Sequence, residues 1–322
     1  MTDIQKSTVA ERTAAPTSDQ PDAPLPLRSR IMDGNLGGYL LLLPAVLILA
    51  LLTIWPIVYS IAISFTNYRV NSRQPTEFIG LDNFTQLFSD DTFLGALWIT
   101  AKFVLVAIPL QLILGYVCAR ILSAAHDMPG ARIFRTFFIV PTMMTSLAVA
   151  LFWGYILDPF IGVYNWILAQ FGLPQQEFFT STDSAFRTVV AVYLWQWVPF
   201  TAMLFMAGLL SIPRQIYEAA SIDGARWYHR VLQIDFPLLK RVGAIAGILA
   251  TVEIIRLFDL VYGTTQGGPG TSTLTNAIEI FRIGFQDFNT AYAAAASLLI
   301  LVVTILISQL FVRALKETEQ PA

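Results

Sequence analysis

Residues 211–240 read SIPRQIYEAASIDGARWYHRVLQIDFPLLK, a polar stretch between two long apolar runs. Good helix formers precede Gly224, and this glycine can end their helix in a left-handed turn. A second short helix is predicted over 227–233, and Pro237 would then break it. The pattern predicts a helical hairpin that projects from between two apolar helices.

The rest of the chain is far more apolar than an ordinary soluble domain, with 55% hydrophobic and 13% charged residues in 322 positions. A helix rises about 1.5 Å per residue, so about 20 apolar residues cross the hydrocarbon of a bilayer. We therefore predict an all-α, polytopic membrane protein with the hairpin between its fourth and fifth spans. The six predicted spans cover 39–65, 93–121, 136–157, 188–210, 242–262 and 292–312.

The flanking residues set the predicted domain limits and the orientation. Residues 1–36 show no apolar period and predict a disordered tail, which leaves 37–316 as the transmembrane domain and 317–322 as a second tail. Basic residues concentrate on one side of the predicted spans, and the positive-inside rule places both termini and the hairpin in the cytoplasm. They include Arg120, Arg132, Arg135, Arg214, Arg226, Arg230, Lys240 and Arg241.

Residues 211–240 resemble the cytoplasmic signature of binding-protein-dependent importer permeases: Glu-Ala-Ala, two residues, Asp-Gly-Ala, then an Ile and a Pro. The matching residues are Glu218, Ala219, Ala220, Asp223, Gly224, Ala225, Ile234 and Pro237. In that family the helix docks into a cleft of the ATP-hydrolysing subunit, so the resemblance implies that these residues couple the chain to an ATPase. The alternative interpretation is an amphipathic helix that lies on the membrane surface.

Three other segments resemble the sugar-type branch of that family: FIGLDNFTQLF at 78–88, GVYNWIL at 162–168 and FDLVYGTTQGGPGTST at 258–273. The third segment is typical of the first of two paired permeases, as in maltose and glycerol-3-phosphate systems. The resemblance implies a permease subunit of an ATP-binding-cassette importer that carries a sugar, oligosaccharide or polyol across the bacterial inner membrane.

The resemblance also implies the partners of this chain. They are a second, homologous permease that completes a heterodimer, two ATPase subunits that bind ATP and Mg²⁺, and an external solute-binding protein. The chain has no Gly-x4-Gly-Lys-Ser/Thr phosphate loop, and its histidines, His126 and His229, have no cysteine or carboxylate at ligand spacing. The sequence thus predicts no ATPase, catalytic or metal site and no cofactor of its own, and no basic patch for nucleic acid.

Charged residues inside apolar runs cost at least about 2.5–3.5 kcal/mol each on insertion scales, so they should face protein or water. Glu253, Arg256 and Asp259 are three residues apart, and we predict that they form a ladder of ion pairs on one helix face. One hypothesis places them along the solute path; the alternative is an ion pair that only fixes the fifth helix. Residues suited to a polyhydroxylated ligand complete that path: Tyr262, Thr264, Gln266, Trp195 and Gln196. For the tryptophan, an ordinary interfacial belt is the alternative.

Two other function classes remain open from the sequence. A permease of the same family could carry glycerol phosphate or another solute. A secondary transporter could show similar broken helices and intramembrane charges, and it would work without an ATPase. A membrane-embedded enzyme would need a catalytic dyad or metal cluster at membrane depth, and the sequence offers none.

Overall fold

A computed structural model describes residues 35–125 and 127–317. Over these residues the chain is helical, with one isolated bridge between Thr66 and Phe78, so the predicted all-α class is confirmed. The α-helices are α1 Asn35–Ser64, α2 Asp82–Leu87, α3 Asp91–Ala124, α4 Ala131–Met143, α5 Ser146–Ile156, α6 Val163–Gln170, α7 Thr182–Ser211, α8 Arg214–Ile222, α9 Trp227–Arg230, α10 Phe236–Ile255, α11 Asp259–Thr264, α12 Asn276–Phe281 and α13 Thr290–Glu317. Two π-helical turns, Val231–Asp235 and Arg282–Gln286, follow α9 and α12.

The predicted tails, 1–36 and 317–322, lie outside the described residues except at their inner ends. There α1 begins at Asn35 and α13 continues to Glu317. His126 also lies outside the described residues.

Four helices in the described part of the chain are long and apolar enough to cross a membrane. They are α1 from Leu41, α3, α7, and α13 as far as Leu310. The chain divides into two compact units, and the larger one, called the compact unit below, begins at Tyr59, near the end of α1. α4 and α5 are long and apolar enough to cross a membrane only when they are taken together, and the angle between them is 97°. The predicted count of six spans is therefore not confirmed, and the predicted third span, 136–157, is a broken one.

The predicted fifth span, 242–262, is interrupted as well. α10 starts before it, at Phe236, and ends at Ile255, while α11 starts only at Asp259. α10 is about as apolar as α3, α7 and α13. Lys240, Arg241 and Glu253 nevertheless place three charged residues in any stretch of it long enough to cross a membrane, more than a stretch of that length contains in the four spans. Periodicity alone did not reveal the break, because the apolar residues continue across it.

α3 and α7 pack along each other at the centre of the compact unit. Gly115 brings them so close that a Cβ at this position would lie 2.6 Å from Cγ2 of Thr201. Lipid tails are as apolar as leucine, so close packing rather than removal from water holds such helices together. Gln111 adds a buried polar link, because it accepts from the Tyr193 hydroxyl at 3.1 Å and donates to Thr201 Oγ1 at 2.8 Å.

Candidate functional site

The hairpin, residues 214–230, consists of α8, α9 and the turn between them. Gly224 has a φ of +71°, a left-handed conformation that favours glycine. Around it, the Ala225 N–H donates to the Ala220 carbonyl at 2.8 Å, and the Gly224 N–H donates to the Ser221 carbonyl at 3.2 Å. These two bonds satisfy carbonyls at the end of α8 and turn the chain sharply. The predicted helix, glycine turn and second helix are confirmed.

The signature residues lie at or near the hairpin surface. Glu218, Ala219, Asp223, Gly224 and Pro237 are exposed, and Ala220, Ala225 and Ile234 are half-buried. On either side of the glycine turn, Ile222 is 87% exposed and Trp227 is 76% exposed. Apolar side chains so exposed at the tip of a polar projection form a surface suited to another protein.

The structure corrects the prediction that Pro237 breaks the second helix. α9 is only four residues long, and a π-turn, Val231–Asp235, joins it without interruption to α10. Pro237 lies in the first turn of α10. In the π-turn the Phe236 N–H donates to the Val231 carbonyl, five residues back, and the helical path continues through Pro237.

A buried carboxylate at the end of the π-turn joins the hairpin to α3. Asp235 is fully buried; its Oδ2 accepts from the Tyr116 hydroxyl at 2.5 Å, and its Oδ1 accepts from the Tyr217 hydroxyl at 2.6 Å. Nε of Arg120 lies 3.5 Å from Oδ2, and the guanidinium carbon of Arg120 lies 5.8 Å from the centre of the Tyr217 ring. Burial, followed by the hydrogen bond to Asp235, raises the pKa of Tyr217 well above its usual range.

Sequence reasoning missed this cluster, because Tyr116 and Asp235 are 119 positions apart. The only local signal was the spacing of Tyr116 and Arg120, which places both side chains on one face of α3. Asp235 itself gave no signal, because an aspartate shortly before a proline is common in polar loops.

The break between α10 and α11 leaves backbone carbonyls without helical hydrogen-bond donors. Side chains at the start of α12 donate to two of these carbonyls. Thr275 Oγ1 donates to the Leu257 carbonyl at 3.0 Å, and Asn276 Nδ2 donates to the Ile255 carbonyl at 3.3 Å. The Thr100 hydroxyl of α3 donates to Asn276 Oδ1 at 2.7 Å and accepts from the Asn276 N–H at 3.0 Å. Two carbonyls of the break are thus bonded by side chains, and Asn276 links the break to α3.

The predicted ion-pair ladder is not formed. Glu253 lies in the last turn of α10, Arg256 follows its last residue, and Asp259 begins α11 after the break, so the three do not share one helix face. Glu253 is half-buried and the other two are exposed, and no salt bridge joins them within residues 35–125 and 127–317. A broken helix changes the direction of side chains that a continuous helix would align.

Aromatic stacking surrounds Tyr262 on α11. Its ring stacks on Phe258 with centroids 5.0 Å apart and meets the edge of Phe281 at 5.4 Å. Thr264 donates its hydroxyl to a carbonyl of its own helix at 2.7 Å. Gln266, in a left-handed conformation with φ +54°, is exposed and accepts a bond from an arginine side chain at its backbone carbonyl. The amide of Gln266 therefore lies at the surface, beyond the stacked rings.

Gln196 joins α7 to the break between α4 and α5. Its side-chain Nε2 donates to the Met144 carbonyl at 3.1 Å, and its backbone carbonyl accepts from the Thr142 hydroxyl at 2.8 Å. The residue is 1% exposed. Its buried Oε1 has no partner among the described residues. Trp195, which precedes Gln196 in the sequence, is 36% exposed. Its ring meets that of Trp153 on α5 edge to face, with centroids 5.4 Å apart.

Two of the helices that carry predicted path residues, α11 and α7, contact the same helix, α5. α11 reaches it at Gly263, where a Cβ would lie 2.7 Å from that of Ala150, and α7 reaches it through the tryptophan pair. The structure thus brings Trp195, and the helix that carries Tyr262, to one helix.

Glu279 of α12 is an acid that sequence reasoning did not select. It is 7% exposed, and burial is the largest cause that raises the pKa of its carboxyl group. Arg282 opposes this shift, whereas Asp90 and Asp287 add to it. The charge on Glu279 is therefore poorly compensated by its surroundings.

The helical fold, the broken spans and the exposed hairpin describe a membrane transport subunit. The profile of the family described as "Binding-protein-dependent transport system inner membrane component" matches residues 111–317, and the chain belongs to this family. It is therefore a multi-pass inner-membrane permease subunit of an ABC importer.

Two relatives show how far the similarity extends. The sulfoquinovosyl glycerol transport system permease protein SmoG of Agrobacterium fabrum is 30% identical over 294 residues, 91% of this chain and 95% of that protein. The trehalose/maltose transport system permease protein MalF of Thermococcus litoralis is 32% identical over 271 residues, 83% of this chain and 91% of that protein.

A solved structure shares the fold. It is the crystal structure of a bacterial alginate ABC transporter in complex with an alginate pentasaccharide-bound periplasmic protein. One of its chains superposes with a TM-score of 0.78 at 21% identity, covering 92% of this chain and 99% of that chain.

Proposed function

We propose that this chain is the carbohydrate-translocating permease of its importer, and that a separate ATPase drives it through the hairpin. The observation that carries the proposal is the exposure of Glu218, Asp223 and Gly224 beside Ile222 and Trp227. Carboxylates can accept basic or backbone donors of a partner, while the glycine and the apolar pair permit close contact. The names of the two relatives, one for sulfoquinovosyl glycerol and one for trehalose and maltose, support a carbohydrate as the transported solute.

The proposed assembly contains this chain, a second homologous permease in a heterodimer, two ATPase subunits and an external solute-binding protein. ATP and Mg²⁺ bind to the ATPase subunits, and both termini of this chain and its hairpin lie in the cytoplasm. Closure of the ATPases moves the hairpin and shifts the permease from inward-open to outward-open. The solute shifts that equilibrium only by its differential affinity for the two states.

For the solute path we propose the residues selected from the sequence, of which those on α11 and α7 lie on helices that contact α5: Glu253, Arg256, Asp259, Tyr262, Thr264, Gln266, Trp195 and Gln196. The unpartnered Gln196 oxygen and the stacked ring of Tyr262 support this path, because amides and aromatic faces suit sugar rings. Tyr262→Ala should raise the KM for transport and leave the basal ATPase rate unchanged. Tyr155→Ala, at a 69% exposed position of α5, is the control, and equal KM values for both variants would contradict the path.

Gly224→Asp tests the coupling role in the complete complex, reconstituted in vesicles. An added charge at the tip of the hairpin should block docking, so the variant should insert and assemble but transport little solute per ATP hydrolysed. Gly172→Asp is the matched control, since Gly172 also has a left-handed φ, +67°, and open space around its Cα. Normal coupling in a well-assembled Gly224→Asp complex would refute the assignment.

Mass spectrometry of the gently solubilised native complex tests the partners. A second permease and an ATPase should copurify with this chain, and their binding protein can then be screened against sugars and polyols. A chain that purifies alone and still moves solute in vesicles would replace the proposal with a secondary transporter.

A further inference from the structure

The Asp235 carboxylate lies where three elements meet: the π-turn that holds it, the hairpin and α3. One oxygen accepts from the hairpin through Tyr217, and the other accepts from α3 through Tyr116. Arg120, also on α3, supplies the opposite charge at 3.5 Å. Each of these partners lies outside the π-turn, so the carboxylate connects elements that are distant in sequence.

The Asp235 carboxylate gives the hairpin a strong polar contact with α3. Hydrogen bonds to a charged group are shorter and roughly twice as strong as neutral ones. A buried carboxylate that loses a donor keeps its desolvation cost, so the arrangement resists separation. By contrast, the ion pair between Arg214 and Asp127 spans 3.9 Å with both side chains more than 80% exposed, and such pairs contribute little.

The Tyr217 ring adds an apolar contact to the polar one. It packs against a buried cluster that contains Ala119 and Leu122 of α3 and Leu209 of α7. Tyr116 packs against the same cluster. Both phenol rings thus pack against one buried cluster, and this close packing restricts rotation of either ring when α8 is displaced.

We propose that Asp235 is a positioning residue that transmits movement of the hairpin to α3 through Tyr217 and Tyr116. The inference rests on the proposed coupling role of the hairpin and adds the route by which that movement enters the membrane. The covalent connections of the hairpin lead only to α7 and α10, and Asp235 brings α3 into the same moving unit. α3 packs along α7 and anchors the α10–α11 break through Thr100, so its displacement reaches the proposed solute path.

The test uses the complete reconstituted complex and measures solute transported per ATP hydrolysed. Tyr116→Phe and Tyr217→Phe each remove one hydroxyl and keep the ring. Each should lower the ratio about tenfold, on the order of one hydrogen bond to a charged group. Loss of either phenol breaks the same bridge, so the double variant should be no worse than the single variants. Losses that multiply in the double variant would overturn the proposal.

Tyr193→Phe is the matched control, because Tyr193 also donates its hydroxyl to a buried acceptor on α3, but from α7. It should lower the thermal stability of the complex and leave the transport ratio unchanged. An equal fall of the ratio in this control would show a general loss of stability and would also overturn the proposal.

Asp235→Asn keeps the shape of the side chain and serves if a tyrosine variant assembles poorly. It should lower the ratio, and a wild-type ratio would sink the proposal. Gly224→Asp separates the two levels of inference. If that variant uncouples transport while the tyrosine variants do not, the coupling role of the hairpin stands and the Asp235 route is wrong. If none of them changes the ratio, both are wrong.

Discussion

The hairpin and the α10–α11 break both interrupt long helices, yet they are held together in different ways. Apart from Tyr217, the hairpin is closed by bonds between near neighbours, such as Ala225 to Ala220 and Arg230 to Ser221. The break is closed by Asn276, which reaches back 21 positions to Ile255 and is itself held by Thr100, 176 positions away. The hairpin is therefore closed largely within itself, whereas the break depends on side chains that are distant in sequence.

The largest expected effect on stability is at the break. Asn276→Ala would leave the buried Ile255 carbonyl and the Thr100 hydroxyl without this partner, at about 1–3 kcal/mol for each group. The melting temperature of the purified protein should fall strongly. Asn289→Ala is the control, because the Asn289 side chain makes no hydrogen bond in the described structure. Similar melting temperatures for the two variants would show that the break does not depend on its distant partners.

The next effect tests the close approach of α11 to α5. Gly263→Ala would place a Cβ 2.7 Å from that of Ala150, and overpacking of this kind costs about 1–3 kcal/mol. Gly95→Ala, in α3 with open space around it, is the matched control. Thermal unfolding should show a loss for the first variant and no loss for the second. A stabilised Gly263→Ala protein would mean that the two helices can separate freely.

A smaller effect, of opposite sign, is expected beside the break. The pKa of Glu279 is raised in the folded protein, so ionising this carboxyl group costs more in the folded than in the unfolded state. The fold therefore loses stability as pH rises above 4.5, the ordinary pKa of the group. Glu279→Gln should therefore raise the melting temperature at neutral pH by less than Gly263→Ala lowers it. The gain should shrink as pH falls and vanish below 4.5, where the carboxyl group becomes protonated in both states. A gain independent of pH would contradict this explanation.

The smallest effect is expected in the hairpin. Ser221→Ala removes the acceptor of the 3.0 Å bond from Arg230, but both groups lie at the surface. Such substitutions usually change stability by no more than about 0.5 kcal/mol. The melting temperature should stay within about one degree of the wild-type value. A large fall would show that the hairpin is more than a locally closed unit.

The same difference explains what the sequence could predict. The turn at Gly224 was predictable because its chemistry is contained within a few residues, and α3 and α7 were predictable because length and apolarity are local properties. The role of Pro237 was predicted wrongly, since the π-turn before it accompanies the contact of Asp235 with a residue of another helix. The ladder of Glu253, Arg256 and Asp259 failed for a similar reason, because the break depends on side chains from α12.

The candidate site divides along the same line. The signature residues of the hairpin could be selected from spacing alone, and their exposure agrees with a docking role that remains a prediction. The Asp235 cluster could not be selected, because neither Tyr116 nor Tyr217 carries a local pattern that points to a partner. Gln196 was selected for its amide, but its bonds to the bent α4–α5 pair depend on the tertiary structure.

The π-turn at Val231–Asp235 has a consequence for chain length. An α-helix advances about 100° per residue, so removal of one residue from this turn would rotate the hairpin by about that angle relative to α10. Asp235 and Tyr217 would then face different directions although every side chain of the cluster was still present. The number of residues between Gly224 and Pro237 thus sets whether Asp235 and Tyr217 meet, and a one-residue deletion there should be tolerated less well than most substitutions.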